Sequence, residues 1–331
     1  MFLWRARRPE DAIQKIIEEA VAADKAGKYA EAVELYASGI EKMMAQMAQL
    51  PNEEAQTHMR QKINEYMLRA EHIKEWMAEQ ARKQQTQEAV ILPTLRPDLF
   101  TGLRAPPRGV LLFGPPGTGN DISASSLTSK WVGEGEKLVR ALFEMARELQ
   151  PSVVFMDEID ALLSTRSASE NDASRRIKNQ FFTELDGAAS SQEDRILVMG
   201  ATNLPQELDE AIVRRLEKRI YVPLPDASSR EGLIRHLLSS QKFSMSSRDF
   251  KQIVKATEGY SGSDLKAVCK DAALGPIREL GARVANVKAE DVRGINASDF
   301  QVALTRVRPS VSSRTIQDLV AWNEQYGVSA V

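Results

Sequence analysis

Gly109-Val-Leu-Leu-Phe-Gly-Pro-Pro-Gly-Thr-Gly119 decides how the rest of the chain is read. The apolar run Val110 to Phe113 predicts a short buried strand. It empties into a glycine-rich turn of the kind that begins the phosphate-cradling pattern G-x-x-x-x-G-K-[S/T]. Gly114, Pro115, Pro116, Gly117, Thr118 and Gly119 form the candidate cradle. The glycines matter because backbone N–H groups can converge on an anion only where a Cβ does not forbid the dihedrals. Then the pattern breaks. Asn120 stands where the phosphate-binding Lys belongs, and Asp121 where a Ser or Thr would ligate Mg²⁺.

At 331 residues there is room for two or three domains. A hydrophobic share of 43% with 27% charged residues is ordinary for a globular protein. The net charge of −2 argues against a whole-chain nucleic-acid binder. The single cysteine, Cys269, excludes an internal disulfide framework and suits a reducing compartment, where it is expected to pack as a small hydrophobe. No apolar run reaches transmembrane length, and the opening Met1-Phe-Leu-Trp4 is too short for a secretory core. The expected location is cytoplasmic, with the nucleus open.

Residues 8–83 contain no strand-like run and predict a bundle of three amphipathic helices. Ile13, Ile16, Ile17, Ala20 and Val21 make the first stripe, ended by Gly27. Ala32, Val33, Tyr36, Ile40 and Met43 make the second, and Met59, Ile63, Met67, Ala70, Ile73 and Met77 the third. Ala23-Asp-Lys-Ala-Gly-Lys-Tyr-Ala-Glu-Ala-Val-Glu-Leu-Tyr36 resembles a microtubule-interacting-and-trafficking (MIT) domain, and also a single tetratricopeptide hairpin. The MIT resemblance implies a tethering module that takes helical, ESCRT-III-type MIT-interacting motifs in its grooves. Beyond a short polar stretch, Ala89-Val-Ile-Leu-Pro93 reads as apolar and extended.

The body, residues 84–225, alternates strand and helix. A helix is predicted over Gly133–Arg147, then a strand Ser152-Val-Val-Phe-Met156 that ends in Asp157 and Glu158. Two acids at the end of a buried strand, downstream of a phosphate turn, have the form of a Walker B element. Asp157 would hold Mg²⁺ through water, and Glu158 would orient and deprotonate an attacking water. A strand over 195–203 ends in Asn203, placed to position that water. The helix Leu208–Lys218 carries Arg214 and Arg215 and leads into a strand at Arg219-Ile-Tyr-Val222. Phosphate motifs at strand ends predict a doubly wound α/β sheet with ligands at the carboxyl edge.

Met-Asp-Glu-Ile-Asp160, Asp172-Ala-Ser-Arg-Arg176, Gly200-Ala-Thr-Asn-Leu-Pro205 and Gly259-Tyr-Ser-Gly-Ser-Asp264 resemble the meiotic-clade AAA ATPases. Lys270-Asp-Ala-Ala-Leu-Gly-Pro-Ile-Arg-Glu-Leu280 and Trp322-Asn-Glu-Gln-Tyr-Gly327 are most similar to the spastin group, with katanins and fidgetins close behind. The resemblance implies an ATP- and Mg²⁺-dependent homo-hexamer that draws tubulin C-terminal tails through its pore and severs microtubules. It makes Arg214 and Arg215 arginine fingers, Asn203 a sensor, and Gly262 and Ser263 neighbours of the nucleotide. Lys130, Trp131 and Val132 become the first pore loop, and Arg175 and Arg176 part of the second. Residues 226–309 become the small helical lid, and residues 310–331 a carboxyl-terminal helix that stabilises the hexamer. A related clade dismantles ESCRT-III filaments, but it carries a β-rich lid insertion for which residues 281–297 are too short and polar.

The chain departs from that family in one block. A βαβ unit needs roughly thirty residues, yet only Asn120–Ser129 separate the glycine turn from the pore loop. The phosphate helix and most of the following strand have no residues to form them. Losing the Lys removes hydrogen bonds of about 1.5–3 kcal/mol each, and losing the helix terminus removes about 0.3–1 kcal/mol. ATP binding weakened roughly a hundredfold to several thousandfold follows, along with an exposed apolar face on the Val110–Phe113 strand. The block is either an excision from the reading frame of an active gene, or the mark of a chain that binds partners without hydrolysing ATP.

Overall fold

The computed structural model describes residues 9–47, 50, 52–100, 102–117, 135–165, 172–190 and 195–327. They fall into two compact units that divide between Gln87 and Glu88.

In the first unit α1 (Pro9–Lys25), α2 (Tyr29–Met47) and α3 (Glu53–Thr86) form the expected bundle. The apolar stripes meet at Ile17, Ala20, Ala23, Ala32, Tyr36, Met43, Ile63, Ala70 and Ile73, all buried. Gly27 ends α1 in the left-handed region at φ 74°, where glycine alone avoids a Cβ penalty. Lys28 N–H then donates back to the Ala23 carbonyl at 2.9 Å. Asn52 caps α3 by accepting from Glu54 N–H at 3.0 Å. Arg69 on α3 reaches Asp24 on α1 with two bonds of 2.7 and 2.8 Å.

The segment after α3 differs from its expected extended form. Gln87–Ile91 makes a π-helical turn and Leu92–Leu95 a short helix, α4. Pro93 sits in the first turn of α4, where a missing N–H costs nothing. Ala89 is buried against Val110 and Ile220.

The second unit is built on four parallel strands, β1 (Gly109–Phe113), β2 (Ser152–Met156), β3 (Ile196–Thr202) and β4 (Lys218–Tyr221), in the order β2-β3-β1-β4. In register, Phe113 lies opposite Thr202 and Tyr221, and Met156 opposite Gly200. The strands therefore finish at one edge. Against one face pack α5 (Gly135–Glu148) and α7 (Asp172–Ser190), with Val139, Phe143, Phe181 and Leu185 meeting Leu111, Phe113, Val154 and Val198. After β2 comes the short α6 (Ile159–Leu163). Between β3 and β4 lies α8 (Glu210–Arg215), shorter than the predicted helix. Asp209 caps its start and Leu216 leaves helical dihedrals at its end.

The exposed apolar face falls elsewhere than expected. Because β1 is central, Val110 is fully buried and Leu112 only half-exposed. Exposure appears instead on β2, at Val153 (55%) and Phe155 (37%).

Beyond β4, α9 (Ala227–Leu238), α10 (Ser247–Ala256), α11 (Gly262–Ala273) and, after the short α12 (Gly275–Leu280), α13 (Ala297–Arg306) enclose a second core to which α12 adds no residue. Capping boxes pair Ser246 with Asp249, Ser261 with Asp264 and Asn296 with Asp299. Cys269 is buried among these helices, and burial pushes its thiol up to about 12, leaving an inert hydrophobe. Gly281–Asn286 and Ala289–Asp291 are 3₁₀ turns rather than strands. The last helix, α14 (Ser313–Tyr326), packs Leu319 and Trp322 onto the sheet's own core. Trp322 meets the Phe113 ring edge-on at 4.5 Å. Among the described residues no helix is long and apolar enough to cross a membrane.

Candidate functional site

The glycine turn springs from the carboxyl end of β1, between β3 and β4. Gly114 N–H donates to Thr202 O at 3.3 Å, and Val222 N–H to Phe113 O at 2.8 Å. These bonds bring the β4 side so close that a Cβ on Gly114 would lie 2.0 Å from the Val222 carbonyl oxygen. Glycine is thus required by backbone approach. Pro115 is buried beside it and Pro116 is exposed. Gly117 turns the chain at φ +81°.

Two carbonyls of this turn are held from opposite sides. Asn203, just past the end of β3, donates Nδ2–H to Gly114 O at 2.9 Å. Ser263 N–H, in the first turn of α11, donates to Gly117 O at 3.2 Å. Gly262 is as close, since a Cβ there would lie 3.0 Å from the same oxygen. The amino end of α11 is itself fixed by Asp264, which accepts from Ser261 N–H at 2.9 Å and Ser310 N–H at 3.2 Å. Burial alone would raise that carboxyl, but the Ser261 and Ser310 donors outweigh it and hold it below the usual carboxylate range.

Asp157 and Glu158 follow β2, two strands across from β1 and so roughly 10 Å away at the same edge. Asp157 is half-buried and accepts Glu158 N–H on Oδ1 at 2.9 Å. Glu158 is exposed and adopts φ 50°, the only positive φ of a non-glycine among the described residues. Such a backbone state costs about 1–3 kcal/mol and persists only where its surroundings impose it. Those surroundings include two residues that sequence reasoning gave no role. Thr202 Oγ1 donates to Asp160 Oδ1 and accepts Leu204 N–H at 3.0 Å, tying the end of β3 to the first turn of α6. The signal was present in Met-Asp-Glu-Ile-Asp160, whose last acid falls one helical turn after Asp157. Among the described residues no group of three or more His, Cys, Asp or Glu assembles. A Mg²⁺ ion here would rest on Asp157, water and phosphate oxygens, the donor set that ion prefers.

The remaining candidates lie away from the turn. Arg214 and Arg215 occupy the last turn of α8. Arg175 and Arg176 are exposed near the start of α7, with Arg175 Nη1 3.6 Å from Asp172. Thr118, Gly119, Lys130, Trp131 and Val132 lie outside the described residues, as do Asn120 and Asp121.

The first unit has its own cleft, about 690 Å³, bounded by α1, the end of α2 at Met43 and Gln46, and α3. Ile13, Ile17 and Val21 line one side, and His58, Met59 and Lys62 the other. A largely apolar cleft with a few polar groups on its rim suits an apolar ligand face.

Three family models match the chain. The MIT (microtubule interacting and transport) domain covers residues 11–75. The ATPase family associated with various cellular activities (AAA) covers residues 120–224, and the AAA+ lid domain residues 247–293. Spastin of Gallus gallus is 54% identical over 266 residues, 75% of this chain and 43% of that protein. The crystal structure of the FIGL-1 AAA domain in complex with ADP is 46% identical with a TM-score of 0.70, covering 75% of this chain and 88% of that one. A katanin structure, addressing the basis of katanin self-assembly, is 36% identical with a TM-score of 0.62, covering 73% of this chain and 86% of that one. The chain spans less than half the length of the spastins it matches. Identity at this level, over nearly the whole of a solved AAA domain, closes the question of descent: the chain belongs to the AAA ATPase family, in the group that holds spastin, katanin and FIGL-1, with an MIT domain ahead of its ATPase and lid domains.

Proposed function

We propose that this chain is a subunit of a hexameric, microtubule-severing ATPase whose own grip on ATP is weak. In this reading the domains run as 8–83 (MIT), 84–225 (ATPase), 226–309 (lid) and 310–331 (terminal helix). The observation that carries it is the convergence of Asn203 and Ser263 on the carbonyls of Gly114 and Gly117, at the sheet edge that also bears Asp157 and Glu158. ATP would lie over Gly114–Gly119 with its base toward Gly262 and Ser263. The FIGL-1 domain, its relative, binds ADP.

When bound, Mg²⁺ would supply charge neutralisation at the phosphates, held through water by Asp157. Glu158, an exposed carboxylate just past the end of β2, accepts a proton from the attacking water. Asn203 keeps Oδ1 to accept from that water while Nδ2 holds the turn. The end of α8, which carries Arg214 and Arg215, meets the neighbouring subunit's nucleotide. Lys130, Trp131, Val132, Arg175 and Arg176 grip acidic tubulin tails in the pore by charge and aromatic contact. The bundle cleft takes the apolar stripe of a helical MIT-interacting motif. The place of work is the cytoplasm, on microtubules.

Asn120 and Asp121 favour a second reading, a tether that joins hexamers without hydrolysing ATP. Titrating the full chain with a fluorescent ATP analogue and Mg²⁺, and measuring phosphate release, separates the two. Binding weaker than that of chicken spastin by roughly a hundredfold or more, with slow turnover, is expected for the first. No binding at millimolar analogue leaves the tether. Shortening of stabilised microtubules rather than ESCRT-III polymer identifies the substrate, in line with the absence of strands in Gly281–Asn286 and Ala289–Asp291.

A further inference from the structure

Arg214 and Arg215 are neighbours in sequence but not in circumstance. Successive residues of a helix point about 100° apart, so the two guanidinium groups face different surroundings. The Arg214 side chain is 80% exposed, and among the described residues its one ion pair is with Glu210 a turn earlier, at 3.4 Å, itself 87% exposed. Arg215 is committed. Its Nε and Nη2 donate to the two carboxylate oxygens of Asp186 at 2.6 and 2.7 Å, and its Nη1 to the Ala211 carbonyl at 3.0 Å. Its guanidinium also lies 5.0 Å from the centre of the Phe182 ring. A planar fork matched to a carboxylate and stacked on an aromatic face is the arrangement that arginine makes and lysine does not.

Both partners sit four residues apart on α7, hence on one face of it. Next to them Phe181 and Leu185 are buried at 0% and 3% exposure, so that stretch of α7 is anchored in the core. Arg147 on α5 adds a second tie, Nη2 to Glu184 Oε2 at 2.8 Å. Ten residues before Asp186 on α7 lies Arg176, about 15 Å away along the axis. An Arg215 that swung out to another molecule would abandon two charged bonds, a carbonyl bond and a ring contact together.

We propose that the two arginines divide the work: Arg214 alone reaches the neighbouring subunit's nucleotide, and Arg215 is a positioning residue that locks the end of α8 to α7 through Asp186 and Phe182. This rests on the nucleotide reading above. The same rigid helix then carries exposed Arg175 and Arg176 near one end and sets the angle of the finger at the other.

The test uses the full chain, with ATP turnover measured over a range of Mg-ATP concentrations and the arginine Nε–H signals followed by NMR. Arg214→Ala should lower kcat by ~100-fold or more, as for a lost finger, with KM little changed. Asp186→Asn and Arg215→Ala should each lower kcat on the order of tenfold, the scale of a misplaced group, again with KM little changed. The double variant should be no worse than either single one, and Asp186→Glu should restore part of the loss. A merely structural tie would lower the melting temperature without that separation of kcat from KM. The proposal is overturned if Arg215→Ala matches Arg214→Ala while Asp186→Asn leaves turnover intact, since Arg215 would then be a finger itself. If the wild-type chain turns over no ATP, the nucleotide reading has failed on its own account. The lock is then decided by Nε–H exchange with water. Slow exchange at Arg215, lost in Asp186→Asn, against fast exchange at Arg214 retains it, and equal rates at both overturn it.

Discussion

The two faces of the four-stranded sheet are covered unequally. On one, Leu111, Phe113, Val154, Met156, Ile196 and Val198 are at most 6% exposed beneath residues of α5, α7 and α14. On the other, Ala89 shields Val110 and Ile220, while Leu112, Leu197 and Met199 are only partly buried. Val153 and Phe155 stand on the edge strand at 55% and 37% exposure. Parallel sheets ordinarily have helices on both faces, because each crossover lays one down. The difference teaches that cover follows position in the sheet: among the described residues the central strand β1 is shielded by the segment that precedes it, while the edge strand β2 carries the exposure.

The largest effect is expected on the sealed face. Phe181 is fully buried and meets Phe143 edge-to-face at 5.6 Å. Phe181→Ala should lower unfolding stability by about 3–5 kcal/mol, read as a fall in the urea midpoint at constant slope. Val110→Ala is the matched probe of the other face, where a fully buried valine loses two methyl groups. At about 0.8 kcal/mol per buried carbon it should cost roughly 1.5–2 kcal/mol. A Val110→Ala cost equal to that of Phe181→Ala would show the two faces to be equally packed, and the comparison would fail.

Much of this inequality was open to sequence reasoning, but its location was not. The runs Val110–Phe113, Ser152–Met156 and 195–203 have the length and apolar content of buried strands, and each became one. The three helical stripes of the bundle were equally plain, because spacing of three and four residues leaves little choice. Which strand lies at an edge depends on order across the sheet, and no local pattern encodes that. Ala89–Pro93 was misjudged because five apolar residues ending in proline suit a strand entry as well as a helical turn. Asn203 reaches the turn from a strand end that the sequence pattern itself marked, whereas Gly262 and Ser263 reach it across a gap in sequence that only the family resemblance could bridge. The unlike fates of Arg214 and Arg215 depend on Asp186, twenty-nine residues away, and were out of reach. α14, expected from the resemblance to stabilise a hexamer, has a contact within the chain that no sequence pattern announced: Trp322 packs against Phe113, directly before the glycine turn.

Acid should weaken the sealed side. The Arg215 guanidinium beside Asp186 holds that carboxyl below the usual carboxylate range. A lowered folded value means that the stabilisation is fully present above the unfolded value of about 3.9 and fades as pH falls through the folded one. Because the Asp186 side chain is 54% exposed, the contribution should be small, about 0.2–1 kcal/mol. Urea midpoints of the wild type and Asp186→Asn should therefore differ at pH 6 and converge below pH 4. A gap that persisted or widened in acid would mean that the pairing does not stabilise the α7–α8 contact through charge.

The smallest effect is expected where cover is thinnest. Val153 is 55% exposed on a strand that pairs with one neighbour, β3, among the described residues. Val153→Thr keeps the branched shape and strand preference while replacing a methyl with a hydroxyl that water can reach. Its stability change should fall within about 0.5 kcal/mol, as for surface positions generally. Colloidal behaviour should respond more, because an apolar edge strand is a template for pairing with other chains. Light scattering during slow heating should accordingly begin at a higher temperature in Val153→Thr than in the wild type, at an unchanged urea midpoint. A loss above about 1 kcal/mol would instead place Val153 in a packed environment in solution, since a hydroxyl is costly only where water cannot reach it.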